Sequence, residues 1–142
     1  MSHKLDSADT IREFLLAGKS TFTLVSTKTG SRFTYRVKRA KGEDESRPWF
    51  VGLLTGPDNT SSYSYLGCIW GSRYSHGRKS RVGSDAISVK AFDWFLRHLD
   101  HDALDLVEFW HEGRCGRCGR KLTVPESIEA GIGPECASRM AA

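Results

Sequence analysis

The chain has 142 residues, 39% of them hydrophobic and 27% charged, which is the balance of a folded globular protein and not of a disordered one. Lysine and arginine number 21 against 17 acids, a formal net charge of +4 that is basic without being extreme. No run approaches the roughly 18 apolar residues of a membrane span, and no charged-then-apolar leader opens the chain, so a reducing cytoplasm is the expected setting.

Residues 7–17 predict a short helix. Asp6 or Ser7 can cap it, Ile11, Phe14 and Leu15 share a face, and Gly18 ends it. Residues 21–26 and 32–38 alternate apolar and polar side chains around a turn at 27–31, which predicts a hairpin. Phe22 and Leu24 point inward from its first strand, and Phe33, Tyr35 and Val37 from its second. Arg32, Thr34, Arg36 and Lys38 then line the opposite face and add positive potential there.

Residues 41–48 form a polar loop. Residues 49–54 are too apolar for a one-sided strand and predict a central one. A turn at Gly56-Pro57-Asp58-Asn59 leads to a strand over 63–70, in which Cys68 reads as a buried core thiol. Residues 71–84, rich in glycine, serine and arginine, predict a long loop. Ser88 can cap a second helix with Phe92, Phe95, Leu96 and Leu99 on one face, and residues 106–110 predict a last short strand. The expected fold is α+β: an antiparallel sheet of about four to five strands with two helices over residues 1–110, and a small metal module over 111–142.

That module carries the clearest chemistry. Three of the four cysteines lie in it, two of them at Cys-x2-Cys spacing in Cys115-Gly116-Arg117-Cys118, and the third in Pro134-Glu135-Cys136. On a tight glycine-bearing turn this spacing presents two thiolates to one tetrahedral ion. Pro134 suits the first position of a helix, and a helix start favours the thiolate at Cys136. The expected cofactor is structural zinc held by Cys115, Cys118, Cys136 and His111. For the fourth place His98, His101, a carboxylate such as Glu112, or an open water-bearing position stay in contention. A catalytic deaminase pattern does not fit, because Glu112 follows His111 directly and no proline precedes Cys115. His-Glu-x-x-His is absent too.

Three thiolates and one divalent ion leave a negative charge, which Arg114, Arg117, Arg120 and Lys121 can offset. The same cations can instead meet phosphate. Arg73, Tyr74, Arg78, Lys79 and Arg81 place an aromatic among cations in the 71–84 stretch, a composition that suits single-stranded nucleic acid. Acids dominate the following residues 84–110, so the surface is expected to be polarised.

The tail from Gly113 through Leu122, Pro125, Ser127 and Gly131-Ile132-Gly133-Pro134-Glu135-Cys136 resembles a small zinc-knuckle domain of unknown function. That domain occurs in phage, prophage and other bacterial proteins, sometimes at the end of helicase-like chains. Residues 10–19 and 54–59 resemble the front half of uncharacterised phage proteins with such a tail. The resemblance implies a bacterial host cytoplasm and zinc at Cys115, Cys118, Cys136 and His111. The resulting expectation is a non-enzymatic accessory protein that binds nucleic acid or a nucleoprotein complex. The alternative is a protein-directed inhibitor of a host defence complex of anti-CRISPR type, and a zinc-dependent nuclease or hydrolase stands third.

Overall fold

Ser7 sits in extended backbone, and its hydroxyl accepts a long hydrogen bond from Thr10 N–H at 3.5 Å, which starts helix α1 (Ala8–Leu15). Its 3-4 spacing buries Ile11, Phe14 and Leu15, as expected from the sequence. Residues 3–57 and 62–141 are described in this computed structural model. The alternating segments form the hairpin of β2 (Lys19–Ser26) and β3 (Arg32–Arg39), followed by β4 (Trp49–Leu54) and β5 (Tyr63–Trp70). Of the turn expected at residues 56–59, Asp58 and Asn59 lie outside the described residues.

The sheet is larger than the four to five strands expected. It has seven strands in the order β1-β7-β2-β3-β4-β5-β6, every pair antiparallel. Strand β1 (His3–Leu5) is only three residues long and gains its place by pairing with β7 (Val107–His111). Strand β6 (Arg73–His76) lies in the stretch read as a loop, where Gly67 pairs with His76 and Trp70 with Arg73. Short polar edge strands carry too little alternation to announce themselves.

Five helices appear among the described residues instead of two. After α2 (Ile87–His98) come α3 (Ala103–Leu106), α4 (Pro125–Ala130) and α5 (Pro134–Ala141). Ser88 does not cap α2: the cap position is Ala86, and the Ser88 carbonyl accepts the Tyr35 hydroxyl at 2.7 Å. Burial pushes the Tyr35 phenol well up, consistent with a permanent donor.

Ring contacts join the helices to one face of the sheet. Phe22 stacks on Phe92 at 6.2 Å, Tyr35 meets Phe92 at 5.1 Å, and Phe14 meets Phe109 edge-on at 5.8 Å, while within the sheet Phe22 stacks on Phe109 at 4.6 Å. The register puts the other face in the open. Strand β4 is central but one-sided, with Val51 and Leu53 buried and Phe50 46% exposed. Cys68 pairs with Phe50 across the ladder, so it shares this outer face and is half-buried, not a core thiol.

The boundary expected between residues 110 and 111 falls inside β7. Leu122, Ile132, Cys115 and Cys136 join the same buried cluster as Phe14 and Phe109. Gly131, with φ of +74°, ends α4 in the left-handed conformation, and a Cβ there would meet the Phe14 ring at 2.5 Å. The tail therefore docks directly on α1.

Candidate metal centre

The knuckle is built by backbone hydrogen bonds around its two cysteines. Cys115 N–H donates to Arg120 O at 2.8 Å, Gly119 N–H to Cys115 O at 2.8 Å, and Leu122 N–H to Gly113 O at 2.8 Å. Arg114 pairs with Lys121 in an isolated antiparallel bridge, and Gly119 closes the turn at φ of +81°. Lys19 N–H donates to Gly116 O at 2.7 Å, which ties the knuckle to the start of β2. Cys136 arrives from the first turn of α5.

The three Sγ atoms lie within 4.8 Å of one another. Sulfurs around a tetrahedral zinc at ~2.3 Å stand about 3.8 Å apart, so a small contraction would suit such an ion. Among the described residues these cysteines are the only group of three or more His, Cys, Asp or Glu that can hold a metal. Burial pushes the Cys115 thiol up, but the backbone N–H groups of Gly133, Cys118 and Arg117 outweigh it and leave the thiol below its ordinary value. At Cys136 burial and the neighbouring cysteines prevail and raise the thiol, against the pull of Arg117.

His111 is not at the sulfurs. Its Nε2 stands 2.7 Å from Ile128 O, a carbonyl that can only accept, so Nε2 carries the proton. Its Nδ1 accepts from Gly113 N–H at 2.9 Å. The neutral ring has no lone pair left for a metal. Burial holds it below the ordinary histidine value, the Ile128 bond works against that, and His3 adds to it. His111 is instead a buried strut between β7 and α4. Of its rivals, His98 lies over Trp94 at 4.5 Å with Nδ1 2.9 Å from the Trp94 carbonyl. Glu112 lies toward the outer face of the sheet, 3.3 Å from the Thr23 hydroxyl.

The knuckle cations divide by role. An Arg117 Nη donates to Cys136 Sγ at 3.5 Å, while its backbone N–H donates to Cys115 Sγ at 3.4 Å, so this arginine serves the thiolates. Arg114 bonds Gly119 O at 3.2 Å, and Arg120 pairs with Glu135 at 3.8 Å, both exposed. A cavity of about 300 Å³ opens beside the sulfurs, bordered by Arg117, Lys121, Ser127 and Arg139.

The other expected cluster lies at the far edge of the sheet. Arg73, Arg78, Lys79 and Arg81 are exposed there. Tyr74 turns inward, edge-on to Phe92 at 5.5 Å, with its hydroxyl 2.8 Å from His76 Nδ1, and burial pushes its phenol up. It packs against the core and is half-buried, so it is not the exposed stacking ring that its basic neighbours suggested. Strand β6 is an edge strand four places along the sheet order from β2, to which the knuckle is tied, so the two sets are not adjacent.

Strand register also assembles a cluster that no single segment announces. Lys19, Arg36, Lys38 and Arg114 converge with Tyr63 on a groove of about 610 Å³ over the outer face. The alternation of β3 pointed to Arg36 and Lys38, but their neighbours across the sheet depend on register.

Residues 108–141 match the family described as "Family of unknown function (DUF6011)", a span that holds all three cysteines of the cluster. No curated protein and no solved structure matched the chain. No described helix is long and apolar enough to cross a membrane.

Proposed function

We propose that the chain is a zinc-stapled, non-catalytic binding protein for nucleic acid or a nucleoprotein complex. The observation that carries the reading is the gathering of Cys115, Cys118 and Cys136 into one metal-competent group inside a rim of exposed cations. Thiolate donors on a tight turn suit zinc above harder divalent ions. The residues fit that ion, with Arg117 placed to offset the thiolate charge. Zinc would fix the turn and α5, with its fourth position left to water or to a donor from outside the cluster.

Arg114, Arg120 and Lys121 project from a turn held in this way, and an array of fixed cations favours a polyanion. Metal analysis of purified protein should give zinc near one equivalent. Binding to labelled DNA and RNA should weaken steeply with added salt, because each phosphate contact releases counterions. Flat salt dependence, or no binding to any strand, sinks the reading.

A further inference from the structure

We propose that the open face of the sheet is a binding platform for a single strand of nucleic acid, with bases on its aromatic side chains and phosphates on its cations. This rests on the nucleic-acid reading above and moves the main contact surface away from the knuckle and from residues 77–84.

Strand register assembles the face in rows. Residues paired across an antiparallel ladder share a face, so Lys19, Lys38, Phe50, Cys68 and Ser75 form one row across five strands. Thr21, Arg36, Gly52 and Tyr65 form the next. Leu54 and Tyr63 pair beyond them. The helices pack against the opposite face through Phe92, Phe95 and Phe14, and Phe50, Tyr65 and Trp70 stay 46%, 41% and 53% exposed.

The exposed aromatics of β4 and β5 lie side by side with the cations of β2 and β3, so one face carries an apolar half next to a basic half. The Arg36 guanidinium lies 4.2 Å from the Tyr63 ring centre, and the Tyr63 hydroxyl, which is buried, has no hydrogen-bond partner among the described residues. Lys38 is lowered by partial burial and by the repulsion of Arg36, Lys19 and Lys41, so the cations crowd one another. A polyanion relieves that crowding. Glu112 also borders the groove, where it accepts from the Thr23 hydroxyl at 3.3 Å and keeps its negative charge, so the groove carries four cations against this one acid among its described lining residues.

Exposed ring faces select single strands, because duplex bases are stacked on one another and cannot lie on a protein ring. Arg114 lines the groove and bridges to Lys121 in the knuckle, so a strand can leave the sheet along the zinc module.

The test is fluorescence anisotropy on the full zinc-loaded chain, with oligothymidylate and oligouridylate of about fifteen nucleotides and a duplex of equal length. Single strands should bind more tightly than duplex. The double variant Phe50→Ala/Tyr65→Ala should weaken single-strand binding about tenfold or more. Lys19→Gln/Lys38→Gln should reduce the salt slope by about 0.7 for each phosphate that is no longer neutralised. Arg78→Gln/Lys79→Gln/Arg81→Gln should leave affinity within about twofold. Ultraviolet crosslinking of the unaltered chain should map to peptides of β4 and β5, a readout that needs no variant to fold. Three outcomes overturn the proposal. One is neutral sheet variants with loss in the knuckle or in residues 77–84, which leaves the nucleic-acid reading standing. Another is equal competition by polyglutamate, which marks an acidic-peptide site. The last is no binding to any nucleic acid, which removes both.

Discussion

The sheet and the knuckle are built to the same backbone rules but held by different forces. The sheet encloses Phe22, Tyr35, Phe92, Phe95 and Phe109, whose rings touch one another and exclude water. The knuckle and its two short helices contribute Leu122, Ile132 and two cysteines to that core, and most of their remaining surface is exposed. A segment with so little apolar burial needs another source of order. Three converging sulfurs are suited to supply it through an ion, and Phe14 is where the two regions meet.

Removing the proposed metal is the largest perturbation and the most direct way to break that contrast. Chelation, or Cys136→Ser, should disorder residues 113–141 while strands β2 to β5 keep their amide protection. Zinc contributes on the order of 10 kcal/mol to comparable modules. Hydrogen exchange followed by mass spectrometry reads both regions at once, and uniform loss across the chain would show that the sheet depends on the tail.

Phe14→Ala attacks the seam itself. The ring is fully buried against Phe109 and His111, so the loss should be about 3–5 kcal/mol and should loosen both regions together. Denaturant unfolding followed by separate sheet and tail probes would test it; a loss confined to one region contradicts the shared core.

Gly131→Ala is narrower. The positive φ and the approach to Phe14 should together cost about 2 kcal/mol, felt first by the tail. Unchanged zinc affinity and thermal midpoint would argue against the docking described.

Acidification sharpens the contrast gently. His111 is held below its ordinary value of 6.5, so the unfolded chain binds the proton more readily than the folded one. The stabilising difference is present above pH about 6.5 and is lost as pH falls through that value toward the folded-state one, at a slope of at most about 1.4 kcal/mol per pH unit. The pH dependence should flatten in His111→Gln, while zinc stoichiometry stays unchanged because the ring is not at the sulfurs. Loss of zinc in that variant would restore the histidine as a ligand.

The parts that were legible in the sequence were local. The 3-4 pattern of Ile11, Phe14 and Leu15, the alternation around Tyr35 and the Cys-x2-Cys spacing each lie within one element, and each appears as expected. His111 misled because spacing cannot report what else a ring bonds to, and two backbone groups had already taken its nitrogens. Tyr74 misled in a similar way: its basic neighbours suggested a surface residue, but pairing of Ile69 with Tyr74 turns the ring toward Phe92.

The sequence alone determined that this is an α+β chain with three clustering cysteines, because helix period, strand alternation and ligand spacing are short-range properties of covalent geometry. Tertiary structure decided which histidine is a strut, which aromatics face water and which cations share a groove. Those depend on strand order and register, set by long-range packing of side chains far apart along the chain.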